Sequence, residues 1–169
     1  ALEFRGEALA RMTMSQRLTI ANMAVEAGAK VGLFPADKLT RDFLREHGRG
    51  DKYRPLSADT GANYEQVIPV NLSQLEPMLS LPHAVDNVRP VAQVKGVKIQ
   101  QAFIGTCTNG RLEDIAVAGE ILKGKKRHPG TRLLIAPASR QVLIQAMEKG
   151  HIQSLIEAGA IILPPGCAA

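Results

Sequence analysis

The sequence predicts an α/β protein with a mainly parallel sheet. Two observations carry that reading. Residues 132–136 are a near-continuous apolar run, as expected of a strand covered on both faces. From residue 97 onward, short apolar runs alternate with segments of helical periodicity. Strands separated by helices imply parallel βαβ units. With 169 residues, the chain suits one such domain or one and a fraction. A hydrophobic content of 45% supplies a core, and the absence of Trp means that Ile, Leu, Val, Ala and Met must build it.

In order along the chain, residues 15–29 read as a helix that Ser15 can cap and Gly28 can end, with Leu18, Ala21 and Val25 on one face. Residues 37–47 form a second helix, apolar at Leu39, Phe43 and Leu44 and stopped by Gly48. The polar, glycine-containing stretch 48–64 reads as a loop, and 65–70 as a short strand. Pro77, Pro82 and Pro90 make 75–90 an extended connector, because proline lacks a donor and restricts its predecessor. The expected organisation is therefore part of one α/β domain over 1–74, the connector 75–90, and a second unit over 91–169. In that second unit, 97–104, 132–136 and 160–163 read as strands. Helices are expected at 112–123 (apolar face Leu112, Ile115, Gly119, Leu122), 139–149 and 153–158.

The charge excess of +5 is dispersed apart from Lys123, Lys125, Lys126, Arg127 and His128, which read as a solvated turn complementing a helix C-terminus. Nothing resembles an aromatic-interleaved RNA- or DNA-binding surface. No apolar run approaches a membrane span, and no leader opens the chain, so a cytoplasmic setting is expected. The chain starts without Met and stops two residues after Cys167, which suggests an internal piece of a longer protein.

Two cysteines are too few for a secreted disulfide scaffold. Cys107 and Cys167 each lie just beyond a predicted parallel strand, where ligands gather in open α/β sheets. Gly105 and Gly166 beside them allow close backbone approach. Three readings stay open on position alone: inert buried thiols, ligands of a metal or cluster, or a redox or nucleophilic pair. None of His47, His83, His128 and His151 stands at zinc-ligand spacing. Asn22 and Glu26 lie four apart on one helix face and can point into a cleft. Thr108 and Asn109 can cap the following helix, and Arg111 can meet a carboxylate bidentately or stay exposed.

Four segments then resemble one family in its own order. They are RLTIANMAVEAGA at 17–29, LEPMLSLPHAVDNV at 75–88, FIGTCTNGRLED at 103–114 and LPPGCAA at 163–169. These resemble motifs of the aconitase and isopropylmalate dehydratase family, in its large iron–sulfur subunit, nearest the isopropylmalate dehydratase and homoaconitase branches. The resemblance implies a three-layer α/β/α iron–sulfur domain and a [4Fe–4S] cluster as cofactor. Cys107 and Cys167 match two of its three cysteine ligands, and the third falls just beyond Ala169. Thr108 and Asn109 match residues beside the cluster. The glutamate matching Glu26 contacts the hydroxyl or water on the iron, and the asparagine matching Asn22 lies in the cluster's surroundings. The implied reaction moves the hydroxyl of a 2-hydroxy di- or tricarboxylate by dehydration and rehydration. Its partner is a small, swivelling subunit that carries the serine base. This segment alone is expected to hold no intact cluster and to be inactive. The rival readings are a non-enzymatic α/β module that holds a small anion at helix N-termini, and a thiol–disulfide protein using the two cysteines.

Overall fold

Two short strands open the first half, β1 (Leu2–Glu3) and β2 (Gly32–Leu33), paired parallel. Phe4 and Phe34 extend the pair and stack with ring centroids 4.8 Å apart. Between the strands runs α1 (Met14–Met23), and α2 (Lys38–Glu46) follows them. The structure, a computed structural model, describes residues 1–167, and the chain divides into two compact units, Ala1–Val97 and Lys98 onward.

Helix α1 differs from its sequence reading at both ends. Thr13, not Ser15, is its N-cap: the Thr13 hydroxyl accepts from Gln16 N–H while the Gln16 side chain accepts from Thr13 N–H. The helix stops at Met23, and residues 24–28 continue as turns. Its inward positions are Arg17, Ala21 and Ala24 instead of Leu18, Ala21 and Val25. Ala24 is buried, whereas Val25 is 63% exposed. Gly32 of β2 explains the choice, since a Cβ there would stand within 3.0 Å of Ala21 and Ala24. The strand presses on that face, and a buried arginine on it breaks the apolar pattern from which the face was read.

Arg17 is 2% exposed. Its Nη2 donates to the Leu9 carbonyl at 2.7 Å and to Asp37 Oδ2 at 2.8 Å. The other carboxylate oxygen of Asp37 accepts from Thr40 N–H and caps α2. One side chain thus starts α2 and ties it to α1.

Residues 65–70 form no strand. Val67, Ile68 and Val70 are exposed, no described strand lies beside them, and Pro69 removes a ladder donor. Strand propensity without a pairing partner leaves the backbone to water. The proline-rich stretch contains an antiparallel pair, β3 (Met78–Ser80) with β4 (Val88–Pro90).

The second unit follows its pattern closely. Strands β5 (Gln101–Gly105), β6 (Arg132–Ala136) and β7 (Ile161–Ile162) form one parallel sheet in that order. After β5 come the single turn α3 (Thr106–Asn109) and α4 (Leu112–Leu122); α5 (Arg140–Glu148) and α6 (His151–Glu157) connect β6 to β7. Ile115, Ala118, Ala146, Ile152 and Leu155 from these helices bury against Leu133 and Ile135, alternate residues on one face of β6. The α/β class with a parallel sheet is as expected. Of the three layers implied, the described residues of this unit supply the sheet and one helical layer. The other face carries the cross-strand row Phe103, Leu134 and Ile161.

The basic cluster closes the C-terminal end of α6. Lys126 Nζ donates to the Glu157 carbonyl, and Arg127 donates through Nε to Gly159 O and through its backbone N–H to Ala158 O.

Asp37 titrates below its ordinary value of 3.8. Burial raises its pKa, but the Arg17 hydrogen bond, the Thr40 and Leu39 N–H groups and the Arg17 charge together outweigh that effect. A carboxylate with a depressed folded pKa contributes stability that is present above 3.8 and lost as pH falls through the folded value. Asp37→Asn is therefore expected to cost about 2 kcal/mol near neutrality. In thermal melts the gap to wild type should shrink as pH drops below 3.8; a gap independent of pH would refute this assignment.

Candidate functional site

The C-terminal edge of the β5-β6-β7 sheet is shaped by a tight turn. β5 runs into Gly105 at φ 144°, ψ −145°, a conformation essentially confined to glycine. Thr106 follows at φ 71°, left-handed and rare for a β-branched residue. Cys107 comes next, exposed, within the one-turn α3. Gly110 ends that turn with its N–H donating to the Thr106 carbonyl at 2.9 Å.

Both glycines are sterically required. A Cβ at Gly105 would lie 2.1 Å from the Ala136 carbonyl oxygen, and one at Gly110 would lie 2.4 Å from the same oxygen. The turn therefore rests directly on the last residue of β6. Ala138 N–H donates to Gly110 O at 2.8 Å and fastens the next residues to it as well.

Cys167 approaches the same place from β7. Leu163 N–H donates to Ile135 O at 2.8 Å, and Gly166 N–H donates to Pro137 O at 3.0 Å. Cys167 follows, also exposed and free. The strands leading to the two cysteines flank β6, about 10 Å apart at normal sheet spacing. Both turns then lean onto residues 136–138. The structure so brings the two thiols to one edge of one sheet, each able to reach a ligand.

The neighbouring candidates have separate tasks. Thr108 N–H lies 3.5 Å from the Thr106 hydroxyl oxygen, and Asn109 is exposed. Neither caps α4. That role falls to Asp114, whose Oδ2 accepts from Arg111 N–H at 3.0 Å. Arg111 Nη2 donates to the Cys107 carbonyl at 3.0 Å, and its Nε is buried with no hydrogen-bond partner.

Asn22 and Glu26 belong to the first unit, and both are exposed. Asn22 is in the last turn of α1, and Glu26 lies in the turn beyond it, its N–H donating to Met23 O at 3.2 Å. The two are thus separated by a helix end and are not successive steps along one helix face.

Among the described residues, no group of three or more His, Cys, Asp or Glu side chains converges to hold a metal. His47 and His128 serve local turns: His47 Nδ1 lies 2.8 Å from Phe43 O, and Gly130 N–H approaches His128 Nδ1 at 3.1 Å. Sequence reasoning missed Gly110 and residues 136–138. The glycine three positions after Cys107 was the available signal; the β6 end carried none.

Gly110→Ala tests the contact without a φ penalty, because Gly110 has φ −107°. It is expected to destabilise the second unit by about 3 kcal/mol, the upper range of overpacking. Gly124→Ala, at φ 69° with nothing within 4 Å, should cost only about 1 kcal/mol. Chemical denaturation of the two variants ranks them, and equal losses would refute the close approach.

Comparison with known proteins adds independent information. A family model described as the aconitase family (aconitate hydratase) matches residues 1–96 and 87–169. The chain is 54% identical over 167 residues to the "3-isopropylmalate dehydratase large subunit" of Elusimicrobium minutum, covering 99% of this chain and 40% of that protein. It is 53% identical over 167 residues to large subunit 2 of Archaeoglobus fulgidus and 52% over 169 to large subunit 1 of Thermotoga maritima, two dehydratases of the same name. In both, 99% of this chain and 40% of the relative are covered. The chain thus spans about two fifths of the length of the curated relatives it matches. With the family match extending over both units and including both cysteine turns, the chain belongs to the aconitase family.

Proposed function

We propose that this chain is the cluster-binding part of the large subunit of a 3-isopropylmalate dehydratase, a hydro-lyase of leucine biosynthesis. It would act with a small subunit on a 2-hydroxy dicarboxylate. The observation that carries this reading is the convergence of the Cys107 and Cys167 turns on the end of β6. The relatives' names supply the reaction and, through the words "large subunit", the partner.

The donor chemistry at this edge fits an iron–sulfur cluster. Two thiols, the soft ligands such clusters take, stand exposed on turns fixed by backbone contacts. Cys107 and Cys167 would hold the cluster, and bound there it would supply a Lewis acid for the substrate's hydroxyl. Thr108 and Asn109, on the same turn as Cys107, would line its surroundings and offer polar groups beside the sulfurs.

Glu26 is the proposed proton handler of this chain. It is exposed on the turn beyond α1, where its carboxylate would pass a proton to the hydroxyl as it leaves and take it back on re-addition. Asn22, one turn earlier, would lie in the cluster's surroundings and tune them by hydrogen bonding. The turn that carries Glu26 is held against β2 through the Ala24–Gly32 packing, so its position depends on the first unit's fold.

In the complete large subunit assembled with its small subunit, Cys107→Ser and Cys167→Ser should each lower iron and sulfide content well below wild type while leaving the melting temperature nearly unchanged. A full complement of iron in either variant would refute the ligand assignment. Glu26→Gln is expected to keep the cluster and lose turnover by roughly a hundred-fold or more. Near-normal turnover with iron intact would return Glu26 to a solvent-exposed polar residue.

A further inference from the structure

Arg111 has a geometry that substrate binding does not explain. Its Nη2 donates to the carbonyl of Cys107, one helical turn back, at 3.0 Å. Its own backbone N–H is fixed by Asp114 Oδ2 at 3.0 Å, so the base of the side chain is anchored at the start of α4. Arg111 Nε is buried without a hydrogen-bond partner, while Nη2 reaches the Cys107 carbonyl at the exposed edge of the turn.

The turn it grips is one that needs holding. Gly105 and Thr106 both have positive φ, and Thr106 is a β-branched residue in the left-handed region. Such a conformation persists only when its surroundings over-determine it. From the sheet side the restraint is Ala136, against which Gly105 and Gly110 are pressed. From the helix side, the side-chain hydrogen bond to Cys107 comes from Arg111. A charged donor on a carbonyl is among the stronger single hydrogen bonds, and a guanidinium holds its direction better than an ammonium does.

We propose that Arg111 is a positioning residue: its guanidinium clamps the Cys107 carbonyl, keeps the strained Gly105–Gly110 turn closed on β6, and so sets where the Cys107 sulfur stands. It orients a ligand of the site and does not bind substrate. The link to an iron centre rests on the function proposed above; the clamp itself does not.

Amide hydrogen exchange on the full chain, read with single-residue resolution, tests the clamp. The reporters are Gly110 N–H, bonded to Thr106 O, and Ala138 N–H, bonded to Gly110 O. Arg111→Met keeps an aliphatic stem and removes every donor. It is expected to lower protection at those two amides about ten-fold, with Leu134 and Ile135 of β6 unchanged. Arg111→Lys, which retains a cation able to donate to the same carbonyl, should recover most of that loss. Unchanged protection at Gly110 and Ala138 in Arg111→Met overturns the proposal. So does a loss spread evenly through β5 and β6, which would mark Arg111 as a general stability element, and so does a failure of lysine to rescue. A second arm uses the complete two-subunit enzyme. There the clamp predicts faster iron loss in air for Arg111→Met, whereas a substrate-binding arginine would raise KM with protection and iron retention intact. A wild-type enzyme that takes up no iron would defeat the proposed function and leave the exchange result standing.

Discussion

The second unit depends on one contact: the turn after β5 lies so close to the carbonyl of Ala136 that neither Gly105 nor Gly110 has room for a Cβ. This approach does several things together. It ends β5 abruptly, so that the chain reverses into α3 and then α4 instead of running on past the sheet. It puts Cys107 at the sheet edge. It also makes the end of β6 a shared platform, because Gly166 bonds to Pro137 immediately beside it. The two exposed thiols are therefore referenced to one short piece of backbone, residues 136–138. A cofactor held by both would inherit the rigidity of the central strand, whose Leu133 and Ile135 are anchored in the buried cluster under three helices.

Backbone strain is concentrated where this chemistry is proposed. The one non-glycine residue with positive φ among the described residues is Thr106, adjacent to Cys107. Strained turns of this sort are maintained by the surrounding packing and tend to mark ligand sites. Here the surroundings can be named: Ala136 below, the Gly110–Thr106 and Ala138–Gly110 hydrogen bonds across, and Arg111 from the helix side. The glycines supply conformational freedom and the contacts remove it again.

The first unit solves a different problem with a charge. Few of its apolar residues are buried, Leu9 and Ala24 being the buried hydrophobic ones among those described. Arg17 fills the space between α1 and α2, and Asp37 meets it while capping α2. Burying an arginine is costly unless it is paired; the carboxylate and the Leu9 carbonyl, both bonded to Nη2, offset part of that cost, while Nε and Nη1 are buried without hydrogen-bond partners. α1 carries Asn22 and leads to Glu26, so whatever sets the seat of α1 also sets the positions of these two proposed site residues.

Local rules were sufficient where the chain repeats a simple unit. In the second unit each strand has a neighbour to pair with and each helix has a sheet face to cover. The alternation of apolar runs with helical periodicity therefore placed the elements to within a few residues. The cysteine positions beyond β5 and β7 were legible for the same reason. The first unit was less so. Residues 65–70 have strand composition and no partner, and the inward face of α1 contains an arginine that an apolar pattern cannot anticipate.

By itself, then, the sequence determined the α/β class, the order of elements after residue 97 and the residue types available for chemistry, since these follow from side-chain periodicity and turn chemistry within a few positions of each residue. Only the tertiary structure decided that Gly110 is as constrained as Gly105, that Arg111 grips the Cys107 carbonyl, and that both cysteine turns rest on the end of β6. The Arg111 contact spans only four residues, but the glycine and cysteine-turn contacts join segments roughly 25 to 30 residues apart, and no local rule encodes which backbone oxygen a distant glycine will meet.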